Sequence, residues 1–200
     1  RYGHLSTGNY NPRTARLYTD ISHITADAAL TADMDHVFVH LASQSRLPQL
    51  RKLWMAPFHL HRKLIAKING LGVAASRGKP ARMVIKMNSL TDEVLIRALM
   101  HAGSLGVQIG LVVRGACTLP AQVPGYTDNI KVRSVIGRFL EHTRVFYFRE
   151  GDKEELYLSS ADWMNRNMVR RIELAWPVTD AVQRQRIVDE CLVAYLHDNV

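Results

Sequence analysis

Short apolar runs alternate with amphipathic stretches of helical period along most of this chain, and no other feature constrains its fold as tightly. Residues 82–87, 107–113, 130–136, 144–148, 156–159 and 172–175 read as strands. The last pair but one is joined across the turn Gly151-Asp152-Lys153. Residues 92–102 read as a helix ending near Gly103, and 180–196 as a closing helix. Upstream, Leu30, Met34, Val37, Phe38 and Leu41 fall at helical spacing within 25–43, behind Thr25 or Asp27 as N-cap. Residues 53–56 form a short apolar strand. Residues 58–71 form a basic amphipathic helix with Leu60, Leu64, Ile65 and Ile68 on one face. Residues 1–10 read as a strand end followed by a Gly-Asn turn, and 15–19 as a short strand. The expected class is therefore α/β: a layered fold with a mixed, mostly parallel sheet flanked by helices.

Charge narrows the range of partners. The 200 residues carry 26 Lys and Arg against 18 Asp and Glu, a net +8 that favours polyanions such as nucleotides, polyphosphate, nucleic acid or an acidic membrane surface. No apolar run approaches the roughly 20 residues that a membrane helix needs. The two cysteines, Cys117 and Cys191, make no disulfide framework, and no Cys/His cluster has zinc spacing, which points to a reducing cytoplasm. The chain starts at Arg1 without a signal-like segment and reads as a piece of a longer protein.

One internal echo bears on organisation. Leu5-Ser6-Thr7-Gly8-Asn9-Tyr10 matches Leu158-Ser159-Ser160-Ala161-Asp162-Trp163, an offset of 158 − 5 = 153, and each is followed by an Arg-apolar pair, Arg16-Leu17 and Arg171-Ile172. So long an offset suggests two lobes of one architecture rather than a solenoid. The polar stretch 44–51, with its proline, is the natural boundary. Residues 1–45 are then the tail of a preceding lobe, and 46–200 a second lobe.

Leu140-Glu141-His142-Thr143-Arg144, followed by Ser159-Ser160-Ala161-Asp162-Trp163-Met164-Asn165 and Glu173, carries the chemistry. In a strand His142 and Arg144 point to one face, where an imidazole and a permanent cation can meet one phosphate. Ser159, Ser160 and Asn165 are candidates to hold the ring or a phosphate oxygen. The arrangement resembles the phospholipase D superfamily, which uses a His-x-Lys motif twice to bind one phosphoryl group between two lobes, although Arg144 stands here in place of the lysine.

At longer strings the resemblance sharpens. Residues 1–11, Ala15-Arg16-Leu17-Tyr18-Thr19-Asp20, Lys86-Met87-Asn88-Ser89-Leu90, Val113-Arg114-Gly115, Ile136-Gly137-Arg138-Phe139-Leu140-Glu141-His142 and Tyr157 through Met164 look like polyphosphate kinase, in the same order along essentially the whole chain, with residues 41–63 matching least. The resemblance implies reversible transfer of the ATP γ-phosphate, leaving ADP, to inorganic polyphosphate through a phosphohistidine. The nucleophilic histidine and the magnesium contacts would lie upstream of this chain, so no metal residue is assigned. His142 is the implied second-lobe histidine, acting as acid or phosphate ligand. Tyr18 and Arg114 match nucleotide- or phosphate-contacting positions, and Asp20 and Arg171 match residues lining the tunnel where donor and polymer meet. The implied partners are ATP and polyphosphate, with homo-oligomerisation of the full-length protein and no specific nucleic acid; membrane association stays open.

Each assignment has a structural alternative. His142 reads otherwise as a satisfied structural histidine, Tyr18 as a packing aromatic, Asp20 as a turn cap, and Arg114 and Arg171 as partners of nearby acids. Glu173 braces either the histidine or its own strand. Arg51, Lys52, Arg62, Lys63 and Lys67 read as a solvated face rather than a polyphosphate track. A phospholipase-D-like phosphodiesterase and a polyanion-binding module are the alternative functions.

Overall fold

In the computed structural model, which describes residues 1–197, a seven-stranded sheet divides the core into two apolar layers. In chain order the elements begin with β1 (Gly3–Ser6), β2 (Tyr18–Thr19), β3 (Ser22–Thr25), α1 (Ala28–Ser43), β4 (Trp54–Ala56), α2 (Leu60–Ser76), β5 (Ala81–Met87), α3 (Glu93–Ser104) and β6 (Gln108–Val113). They continue with β7 (Ile130–Arg133), β8 (Leu140–Glu141), β9 (Arg144–Glu150), β10 (Lys153–Ser159), α4 (Asn165–Val169), β11 (Glu173–Pro177), α5 (Ala181–Val188) and α6 (Ala194–His197).

The large sheet runs β4-β11-β10-β9-β5-β6-β7. It is mixed, with parallel pairing confined to β5-β6-β7 and the other four of its six ladders antiparallel. A mostly parallel sheet thus describes the strand directions better than the pairing. The reason lies in the hairpin β9-β10, which inserts its tight Gly151 turn where a parallel strand would need a helical crossover.

Period-2 alternation sorts the side chains. Met83, Ile85, Phe146, Phe148 and Ala175 face α2 and α3, meeting Leu60, Leu64, Ile68, Leu95 and Leu99. Val84, Val145, Tyr147, Leu156, Leu158 and Trp176 face the opposite layer, meeting Leu30 and Val37 of α1 and Leu192 of the closing helix. Each buried Val, Leu, Ile, Phe or Met side chain among these contributes about 1.5–3 kcal/mol.

Residues 1–25 hold one small ladder of their own, β1 antiparallel to β3, and join the rest of the chain through a second, β2 parallel to β8. The polar boundary segment is pinned as well. Asp33 of α1, 1% exposed, accepts the backbone N–H groups of Arg51 at 3.0 Å, Lys52 at 2.6 Å and Leu53 at 2.9 Å.

Three local expectations are corrected. Residues 15–19 are not one strand: Thr14–Arg16 is a 3₁₀ turn, because Asn11 accepts the backbone N–H of Arg13 through its side chain at 3.0 Å and that of Ala15 through its carbonyl at 2.9 Å. The strand expected over 130–136 stops at Arg133, since β6 offers partners only from Ile109 to Val112. The closing helix is interrupted by a π turn over Asp189–Val193 between α5 and α6.

Of the basic cluster, Lys52 pairs with Asp27 at 2.6 Å and Lys67 with Glu155 at 2.7 Å, while the Lys63 ammonium lies over the Trp54 ring. Both cysteines are free, and no described helix is long and apolar enough to cross a membrane.

Candidate functional site

The sheet brings its strand ends to one edge. There β5 and β6 finish at Met87 and Val113, β9 starts at Arg144 opposite the end of β10, and β11 starts at Glu173. The short β2-β8 ladder, Tyr18 opposite Leu140 and Thr19 opposite Glu141, delivers Asp20 and His142 to the same edge as the next pair in register.

His142 Nδ1 lies 2.9 and 3.0 Å from the two carboxylate oxygens of Asp20. With a carboxylate as acceptor, Nδ1 carries the proton, and Nε2 becomes the acceptor of the ring. Arg144 Nη1 lies almost equally far from the two ring nitrogens, 3.1 Å from Nδ1 and 3.0 Å from Nε2, and donates to the carbonyls of His142 at 2.9 Å and Thr7 at 3.1 Å. The Arg144 guanidinium, 6% exposed, forks onto Asp162 through Nε at 3.1 Å and Nη2 at 3.0 Å. Asp162 also accepts the Asn88 N–H at 2.8 Å. The Asn88 amide, turned to satisfy both its groups, donates to the Glu141 carbonyl at 2.8 Å and accepts from Arg144 Nη2 at 2.7 Å. All three Arg144 side-chain nitrogens are thus engaged by protein.

Asp20 is held from behind. Thr7 Oγ1 donates to Asp20 Oδ1 at 2.7 Å and accepts from the Ile21 N–H at 3.0 Å. A Cβ added to Gly8 would lie 1.9 Å from Asp20 Oδ2, so the glycine is what leaves room for the carboxylate. The Tyr18 ring stands 4.6 Å from the imidazole, centroid to centroid, at an interplanar angle of 44°.

Tyr18, Asp20, His142 and Arg144 therefore meet directly. Arg114 lies at the end of β6 on the same edge; its Nη1 is buried without a hydrogen-bond partner among the described residues. Arg171 is exposed in the bend before β11 and contacts none of the four in the hydrogen-bonding network.

The serines and Glu173 form a separate brace. Ser159 Oγ donates to the Leu174 carbonyl at 2.8 Å, and Glu173 accepts from Ser160 Oγ at 2.5 Å and Asn167 Nδ2 at 2.7 Å. Neither the serines nor Glu173 touches the imidazole in this network; Asp20 and Arg144 hold it instead. Thr7, Gly8, Asn88 and Asp162 escape a reading of the sequence that looks for histidine and basic residues. The signal for Thr7 and Asp162 was the internal echo, where they hold the third and the fifth position of the two matched strings.

The chain matches the family model of the polyphosphate kinase C-terminal domain 2 over residues 53–200 and that of C-terminal domain 1 over residues 1–47. It belongs to the polyphosphate kinase family. A curated polyphosphate kinase from Paraburkholderia phytofirmans is 50% identical over 199 residues, which is 100% of this chain and 29% of that protein. One from Burkholderia cenocepacia is 48% identical with the same coverage. Among solved structures, the crystal structure of polyphosphate kinase from Porphyromonas gingivalis superposes with a TM-score of 0.90 at 38% identity, over 94% of this chain and 29% of that one. The chain thus spans under a third of the length of these polyphosphate kinases, and the junction between the two family-model matches falls in the segment that Asp33 pins.

Proposed function

We propose that this chain is the C-terminal portion of an ATP–polyphosphate phosphotransferase, in which His142 serves the second of two phosphoryl-binding lobes. The observation that carries the reading is the Asp20–His142–Arg144 contact. It joins residues 1–45, read as the tail of a first phospholipase-D-like lobe, to residues 46–200, read as the second; the last three residues of that span lie outside the described residues. The γ-phosphate of ATP passes reversibly to polyphosphate through a phosphohistidine borne upstream of this chain.

Phosphoryl transfer asks a protein for positioning and for cations against charge on the phosphate oxygens. Asp20 fixes the Nδ1 proton, so His142 Nε2 is the atom that gives or takes a proton at the reacting oxygen, or binds one. Such acid–base help is worth about 10²–10⁴-fold. Arg144 keeps a permanent charge behind the ring. Arg114 presents an uncommitted guanidinium for a phosphate of the nucleotide, Tyr18 walls the nucleotide side, and Arg171 with Asp20 lines the path of the polymer. Magnesium would neutralise phosphate oxygens. By the family resemblance its ligands are assigned to parts of the full-length protein upstream of this chain. That protein is read as a cytoplasmic homo-oligomer.

The test is to incubate the full-length protein with γ-labelled ATP and digest the product with a polyphosphatase. Label in a polymer that the polyphosphatase degrades is the expected result. No such polymer, together with cleavage of nucleic acid or lipid phosphodiesters, would replace this reading with a phosphodiesterase.

A further inference from the structure

The sheet buries one lysine that the proposed phosphoryl chemistry does not use. Lys86 of β5 is 2% exposed. Its ammonium donates to Thr143 Oγ1 at 3.1 Å and the Thr143 carbonyl at 3.3 Å, lies 3.2 Å from Glu141 Oε2, and sits 5.0 Å from the centre of the Tyr195 ring. Burial pulls Lys86 below the ordinary lysine value, and the Glu141 carboxylate opposes that pull. A buried charge is costly unless its partners are well placed.

The contacts converge on one oxygen. Glu141 Oε2 receives Lys86 at 3.2 Å, the Tyr195 hydroxyl at 2.7 Å and the Thr19 hydroxyl at 3.1 Å. Thr19 Oγ1 in turn accepts the His142 N–H at 3.3 Å. Thr19 and Glu141 are the last rung of the β2-β8 ladder, and Asp20 and His142 follow them immediately. Each of those strands is two residues long, too short to hold register by itself. Tyr195 comes from α6, after the π turn of Asp189–Val193. A π turn inserts one residue and rotates everything beyond it around the helix axis, here placing Tyr195 toward the sheet while Leu192 stays in the core.

We infer that Tyr195, acting through Glu141 and Thr19, is a positioning residue for His142: the closing helix latches the rung on which the Asp20–His142 pair is mounted. The inference rests on the reading of His142 given above. It assigns the π turn a purpose, which is to aim a hydroxyl at Glu141 that an uninterrupted helix would direct elsewhere.

The experiment uses the full-length protein and steady-state synthesis of polyphosphate from ATP. Tyr195→Phe keeps the ring over Lys86 and removes only the hydroxyl. The expected result is a kcat lower by about ten- to a hundredfold, the scale of a small misplacement at a reacting group, with KM for ATP within about twofold. Thr19→Val, which removes the hydroxyl between Glu141 and His142 at constant shape, should match it, and Thr19→Ser should restore turnover. A merely structural role would lower the melting temperature and leave kcat per folded molecule unchanged, which overturns the inference. Should Tyr195→Phe fail to fold, the Thr19 pair decides: full turnover in Thr19→Val overturns the latch, and loss with rescue by Thr19→Ser supports it. His142→Ala separates the two levels. If it too is fully active, the site reading itself has failed; if it is inactive while the Tyr195 and Thr19 variants are normal, only the latch has.

Discussion

Asp20 and His142 stand 122 positions apart and meet with the imidazole Nδ1 2.9 Å from one carboxylate oxygen and 3.0 Å from the other. The contact fixes a tautomer, and it ties the first 25 residues to the edge of a sheet assembled from the rest of the chain. It stands there only because the residue behind Asp20 has no side chain.

Gly8→Ala tests that dependence. The new methyl would overlap Asp20 Oδ2, since its carbon would lie 1.9 Å away. The carboxylate must rotate off the imidazole or the loop must shift, at a cost of about 1–3 kcal/mol. In the full-length protein, turnover should fall as far as it does in Asp20→Asn. A Gly8→Ala variant with normal kcat would show that the Asp20 contact is dispensable.

Much of this architecture is legible in the sequence. Leu60, Leu64 and Ile68 predict the buried face of α2, and the Gly151 turn predicts the β9-β10 hairpin, because both patterns are local. Asp27 caps α1 through the Leu30 N–H at 2.8 Å, one of the two caps that the spacing allows. The site is legible only in part. His142 and Arg144 stand out as a motif, whereas the Arg144–Asp162 fork and the Asp20 contact depend on strand register, which no short string encodes. β3 escapes notice because Ser22–Thr25 runs straight into the cap of α1 and pairs only with β1. The π turn has no local marker, since Asp189–Val193 carries an ordinary helical composition.

Asp162→Asn tests the fork. It keeps an acceptor for the Asn88 N–H and removes the charge that balances the buried guanidinium of Arg144. Stripping one partner from a buried pair costs about 3–5 kcal/mol. Denaturant unfolding of the variant should show a loss at least near the lower figure; a loss under about 1 kcal/mol would mean the pair is better solvated than its geometry implies.

Arg114→Ala should behave in the opposite way. Its Nη1 is already buried without a partner, so truncation removes no internal bond of that group and stability should change by less than about 0.5 kcal/mol. If Arg114 meets a phosphate, kcat/KM for ATP should fall about 10²–10³-fold, the usual effect of removing one preorganised donor. Unchanged kcat/KM would remove Arg114 from the site.

Acid stability is tied to Glu155, away from the site. Burial opposes its ionisation, but bonds from Lys67, Lys153 and Tyr157 outweigh burial and bring its carboxyl from 4.5 down to about 2. The folded value lies below the unfolded one, so the stabilisation is complete above pH 4.5 and is lost as pH falls toward 2. Lys67→Met should flatten that part of the stability profile, by about 1 kcal/mol once solvent screening of a partly exposed pair is allowed for. Chemical denaturation at several pH values across the window measures it, and an unchanged slope would place the acid sensitivity elsewhere.

Turnover of the His142→Ala variant in the full-length protein tests the central claim most directly. Polyphosphate synthesis from ATP should drop by about 10²–10⁴-fold, equivalent to roughly 3–5 kcal/mol of barrier. The melting temperature should stay close to that of the unsubstituted protein, because the Arg144–Asp162 fork does not need the imidazole. Near-normal synthesis at a normal melting temperature would contradict the account and leave His142 a structural residue.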